Sequence, residues 1–147
     1  MAITKDILNA IKTDFLKING TGDYTTNLKK CHSVFRHLKD LRADEFDSFY
    51  VEGLQAKAET GESLIKWTWG IGVYFYLSAA EDIGKSGLIR DKVEDLKADI
   101  VTLIKTPLVT EALDEVISVE LSMFDPYIDF ADNKAVFGLL LTVEYVD

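Results

Sequence analysis

Near the N-terminus, apolar positions recur at helical spacing. Ile7, Leu8, Ile11, Phe15 and Ile18 fall on one face of a helix predicted from about Thr4 to Asn19. Thr4 suits an N-cap, and Asn19-Gly20 suits a stop. A polar turn, GTGDYTTN, follows. Leu28 to Leu41 reads two ways: Val34, Phe35, Leu38 and Leu41 can line a short helix, whereas CHSVFRHL can form an edge strand. Strand is the reading taken for Cys31–Leu38. Asp44-Glu45-Phe46-Asp47 then forms an acidic loop. Ser48–Gly53 (SFYVEG) has the aromatic and β-branched content of a short strand, and a turn is expected around Thr60-Gly61.

The strongest pattern lies between Leu64 and Ser78. Trp67, Trp69, Ile71, Val73, Phe75 and Leu77 alternate with Lys66, Thr68, Gly70, Gly72, Tyr74 and Tyr76, a period of two that defines a strand. Gly70 and Gly72 share the second face and predict a groove there, lined by Tyr74 and Tyr76. After the loop AAEDIGKSG, a second helix is predicted from about Gly87 to Lys105, with a stripe of Leu88, Ile89, Val93, Leu96, Ile100, Leu103 and Ile104. Thr106-Pro107 ends it, because the residue before a proline is pushed out of the α region. The last third reads as a hairpin. Ile117, Val119, Leu121 and Met123 alternate along one strand. The connection DPYIDFADNK has turn chemistry at Asp125-Pro126 and Asp132-Asn133, and the final strand is Ala135–Val146. The expected fold class is α+β: a mostly antiparallel sheet covered on one face by two main helices, in a single domain spanning residues 1–147.

Composition narrows the function classes. The 147 residues are 48% hydrophobic and 28% charged, enough apolar surface for a self-sufficient core. Net charge is −9, which opposes binding to a nucleic-acid backbone without excluding an acidic surface that lets DNA pass without holding it. One cysteine, Cys31, leaves no internal disulfide and fits a reducing compartment. The N-terminus lacks the uninterrupted apolar stretch of a signal peptide, and the apolar run Trp67–Ala80 is too short to span a bilayer as a helix. A cytosolic site of synthesis and no membrane partner are expected.

Four constellations invite chemistry, and none has the pattern its chemistry requires. Gly84-Lys85-Ser86 sits between a strand and a helix, but Ala79 replaces the first glycine of a phosphate-binding loop, and Glu81 and Asp82 oppose a triphosphate. Cys31, His32 and His37 supply too few ligands for zinc. Neighbouring strand residues also point to opposite faces, so Cys31 and His32 do not share a proton, and both histidines are expected at the surface. Asp125, Asp129 and Asp132 lack calcium-loop spacing. Trp67, Trp69, Tyr74, Phe75 and Tyr76 lack the neighbouring bases of a single-strand nucleic-acid platform. No nucleophile, base and orienting group stand out together, so no catalytic residue, cofactor or metal is expected.

The order of elements carries a family resemblance. The helix Ile3–Asn19 is followed by SFYVEG, then WTWGIGVYFYL, the helix LIRDKVEDLKADIVTLI, the strand VISVELSMFD, an acidic loop and AVFGLLLTVEYVD. Across nearly the whole chain this layout resembles the bacteriophage tail terminator family, the head–tail joining or tail completion proteins. It departs in having Asp47-Ser48 where members often carry a proline. The resemblance implies a structural virion protein of the tail or neck, present in the host cytoplasm during assembly. It implies a homo-oligomeric ring, typically a hexamer, that caps the tail tube, stops its growth and offers a surface to head-completion and neck proteins. It implies no cofactor and no sequence-specific nucleic-acid binding, with DNA passing through the ring. Another head–tail connector or tail-tube component is the sibling reading. A small ligand-binding module using the groove over Gly70 and Gly72 is the reading from a different class. Partner contacts are expected from Asp44, Glu45, Asp47, Thr60, Gly61, Tyr74, Tyr76, Asp125, Tyr127, Asp129 and Asp132.

Overall fold

The structure, a computed structural model, describes residues 2–61, 63–79 and 88–147. Helix α1 spans Ala2–Leu16. Ile3, Ile7, Ala10, Ile11 and Phe15 are all buried, at the three- and four-residue spacing that puts them on one stripe. The helix ends at Leu16, three residues before the predicted stop, because Lys17 and Ile18 turn their N–H groups back to Asp14 and Phe15. Gly20, at φ +76°, then takes the left-handed conformation that a side chain resists. Helix α2 spans Leu88–Ile104 and buries Ile89, Val93, Leu96, Ile100 and Leu103. Its end is held by Thr106, whose N–H and hydroxyl both donate to the Leu103 carbonyl just before Pro107. The Gly84-Lys85-Ser86 loop lies outside the described residues.

Among the described residues six strands form one sheet: β1 Lys30–His32, β2 Ser48–Thr60, β3 Ile65–Ser78, β4 Val116–Met123, β5 Tyr127–Asp129 and β6 Lys134–Val146. The order across it is β1-β2-β3-β6-β4, with β5 also on β6. Among the described strands only the β1–β2 pair is parallel. Both helices lie on one face, over Phe49, Ile71, Val73, Phe75, Leu77, Phe137, Leu139 and Leu141, all buried. The α+β class and two-layer arrangement are therefore as expected. The Phe15, Phe49, Phe75 and Phe137 rings meet at centroid distances of 5.4–6.2 Å and join α1 to the sheet.

Three elements differ from the pattern-based reading. The predicted strand Cys31–Leu38 survives only as β1; beyond His32 the chain leaves the sheet, and a 3-10 turn at Leu38–Asp40 follows. Strand β2 runs well past Gly53. From Gly53 to Thr60 every residue is exposed, so no alternation marks the extension, and pairing with β3 from Trp69 back to Ile65 holds it. In β4 a register shift between Val116 and Ser118 turns Ile117 outward, 55% exposed, and puts Val116 in its place against the core.

A second register shift, in β2 between Gly53 and Ala56, seats Trp69. Its indole lies flat against Gly53, in the space a side chain there would need, and its Nε1–H donates to the Leu54 carbonyl at 3.1 Å. Gly53→Val therefore collides with the ring and is expected to destabilise the protein by about 1–3 kcal/mol. Adding Trp69→Ala should remove most of that increment, a non-additive cycle measured by denaturant unfolding.

Candidate functional site

The sheet offers three surfaces that the helices leave open: the outer edge of β2, the outer edge of β4, and the face opposite the helices. β1 covers β2 only at Ser48–Tyr50. From Val51 to Thr60 no described strand pairs with that edge. β4 likewise pairs with β6 on one side and with no described strand on the other. The hairpin joining β2 to β3 closes with the Gly61 N–H donating to the Leu64 carbonyl, and Leu64 is 57% exposed. Thr60 and Gly61 are thus at an exposed sheet end.

The face opposite the helices is only partly open. The segment from Ser33 to Phe46 folds across its β1 end, and Leu41 and Phe46 bury Tyr76 completely. The Tyr76 ring packs edge-on against His32, and its hydroxyl accepts the Arg36 N–H at 3.3 Å. Tyr76 is thus occupied within the chain instead of lining a groove. The groove itself is filled at Gly72, where Tyr74 folds back until its hydroxyl lies 2.9 Å from where a side chain on Gly72 would begin. Tyr74 also stacks on Tyr50, with Phe35 edge-on to both rings. Gly70 has only Leu140, Leu54 and the Gln55 carbonyl nearby, and Gly138 lies under Phe124, which is 54% exposed.

The expected contact residues of the two acidic loops divide into two groups. Asp44, Asp125, Tyr127 and Asp132 are exposed. Asp129, in β5, accepts the Asp132 N–H at 3.2 Å. The other two expected contact residues in the 44–47 loop are turned inward. Asp47 receives Lys92 Nζ at 2.9 Å and the Ser78 N–H at 3.1 Å, tying α2 to the end of β3. Glu45, its side chain 7% exposed, takes the Arg42 N–H at 3.0 Å and Arg36 Nη1 at 2.9 Å, with Lys30 at 3.9 Å. The Arg42 N–H first, then the Arg36 hydrogen bond and the charges of both arginines, hold the Glu45 carboxyl down at about 2.

Two further buried carboxylates were not singled out from sequence. Asp14 accepts the N–H groups of Val109 (2.7 Å) and Thr110 (3.0 Å) and the Thr110 hydroxyl (2.8 Å), and pairs with Lys17 at 3.3 Å. Asp99 accepts the N–H groups of Thr25 (2.9 Å) and Thr26 (2.6 Å). The signal was available, since each acid sits inside an apolar helical stripe where solvent cannot be its partner.

Cys31 and His32 do point to opposite faces. Cys31 packs against the main core, where burial pushes its thiol up. His32 is buried rather than at the surface, with Nε2 2.7 Å from the Ser48 hydroxyl; burial first, then Lys30 and Arg36, lowers its pKa. Among the described residues no group of three or more His, Cys, Asp or Glu is placed to hold a metal ion. No described helix is long and apolar enough to cross a membrane. No protein-family model matches this chain, and no curated protein matches it in sequence.

The Glu45 network has a pH signature. A carboxyl whose pKa falls on folding stabilises the fold above its unfolded value near 4.5, and that contribution is lost as pH drops toward about 2. Glu45→Gln should flatten the fall in unfolding free energy across that window, measured by denaturant titration at stepped pH.

Proposed function

We propose that this protein is a structural subunit that assembles with copies of itself into a closed ring, and that the ring caps a phage tail tube and joins it to the head, as the resemblance to tail terminators implies. One observation carries the assembly reading: the sheet ends in two edges that no described strand pairs, and these run in opposite directions. β2 is antiparallel to β3, β3 to β6 and β6 to β4, so β4 runs opposite to β2. When a second copy stands beside the first in the same orientation, β4 of one meets β2 of the next antiparallel, the pairing in which ladder hydrogen bonds lie straight across. The free lengths suit each other, Val51–Thr60 against the eight residues of β4. The same contact repeated by rotation gives a ring.

Open edges of this length are a hazard for a protein meant to stay single, and natural monomers blunt them with charge or cover. β2 carries such charge at Glu52, Lys57 and Glu59, and β4 at Glu120, beside the exposed apolar Ile117. The net charge of −9 is compatible with the DNA-passing part of the reading.

Light scattering and negative-stain imaging, alone and with purified tail tubes, test the proposal. The expected result is a discrete ring in solution or on the tube end, with tube growth arrested. A monomer under both conditions overturns it. Ile117→Lys puts a charge on the β4 edge at a site already half exposed. It should weaken ring formation by at least about tenfold while leaving the unfolding midpoint unchanged.

A further inference from the structure

A cavity of about 380 Å³ opens where the C-terminal ends of the two helices diverge over the sheet. Ile11 and Phe15 of α1 form one wall and Leu103 of α2 another; Val119, Leu121 and Leu141 form the floor. We propose that this cavity is a binding site for a small apolar molecule that is uncharged or cationic, an inference independent of the assembly reading.

Three features carry it. Folded interiors are packed close to crystal density, and a space this size falls within the range of small-ligand pockets. The cavity is also held open by structure. Asp14 fixes the backbone of Val109 and Thr110 through two N–H bonds and a hydroxyl, so the segment after Pro107 is clamped to α1 and does not settle into the gap. The buried polar side chains are already satisfied. Both Asp14 oxygens are engaged, and no buried side-chain nitrogen or oxygen among the described residues lacks a partner. A ligand here is therefore held by apolar contact.

The rim sets the sign of charge. Asp14 and Glu111 both line the cavity. Lys17 is paired with Asp14, while Glu111 makes no ion pair among the described residues. A carboxylate, sulfonate or phosphate head group brought to this mouth meets a like charge in a partly dehydrated setting.

The neutral dye N-phenylnaphthylamine and its sulfonated analogue, anilinonaphthalene sulfonate, share a ring system and differ in the anionic group. Fluorescence titration of the full chain should show saturable, one-to-one binding of the neutral dye, with the sulfonated dye at least about tenfold weaker. Val119→Phe fills the floor and should weaken the neutral dye by at least about tenfold with an unchanged circular dichroism spectrum. If that variant does not fold, Ile104→Trp tests the same point from the mouth, where Ile104 is 40% exposed and a larger ring can be accommodated. Absence of saturable binding to the native protein, equal affinity for the two dyes, or full affinity in a folded filled variant each overturns the proposal.

Discussion

The structure depends on the pairing of β3 with β6, which holds one register from Lys66↔Val146 to Ser78↔Lys134. The period of a strand is two, so a slip of one residue would turn the whole apolar set of either strand to the wrong side. With this register fixed, Val73 stands beside Leu139 and Phe75 beside Phe137 on the face that receives both helices. Each fully buried Leu, Ile, Val or Phe contributes about 1.5–3 kcal/mol against exposure, and none of that is available in a slipped register. Everything else is added to this central pair: β2 and β1 on one side, β4 and β5 on the other.

The irregular segments need a different means of attachment, since they bury few apolar side chains. Carboxylates supply it. Asp99 in α2 receives the backbone at Thr25 and Thr26, and Asp14 in α1 receives it at Val109 and Thr110. Asp47 and Glu45 serve the loop before β2. An ionised acceptor makes a stronger bond to a backbone N–H than a neutral one, and each acid here satisfies donors that no helix or ladder reaches. In a chain of net charge −9, several acids are therefore interior fasteners, and the net charge overstates how much acidity reaches the surface groups that meet partners.

This division also explains what the sequence made legible. The β3 alternation and the two helical stripes are strong because burial on one face imposes a period, and those elements appear with nearly the expected bounds. The extension of β2 carries no such imprint, since from Leu54 onward its residues are exposed on both faces. The β4 register shift reverses the sense of Ile117 without changing the composition of VISVELSM, so alternation alone placed it inward. The segment after His32 has the apolar content of an element, but its Phe35, Leu38 and Leu41 serve as a lid over the far face of the sheet. The expected contact residues split for the same reason. Asp44, Thr60 and Tyr127 stand at the surface, whereas Glu45, Asp47 and Tyr76 are claimed by partners distant in the chain, such as Arg36, Lys92 and His32.

The lid bears on assembly as well. By covering Tyr76 and half-covering Tyr50 and Tyr74, it removes the aromatic part of the far face from competition for partners. The apolar side chains still exposed there, Leu54 and Phe124, lie toward opposite edges, near β2 and β4. A face-to-face pairing of two copies would leave both edges unpaired and bury mainly the middle of the face, where Gly70 and Gly72 present little side chain. Under the proposed assembly, an edge-to-edge contact instead brings the two edges together. Backbone hydrogen-bonding groups are the larger unmet need, because each exposed N–H and C=O on an edge can be satisfied repeatedly along the strand by a partner's ladder. Under the proposed assembly, the sheet therefore suits lateral contact better than stacking, and such contacts form a ring where the rotation between neighbouring copies closes.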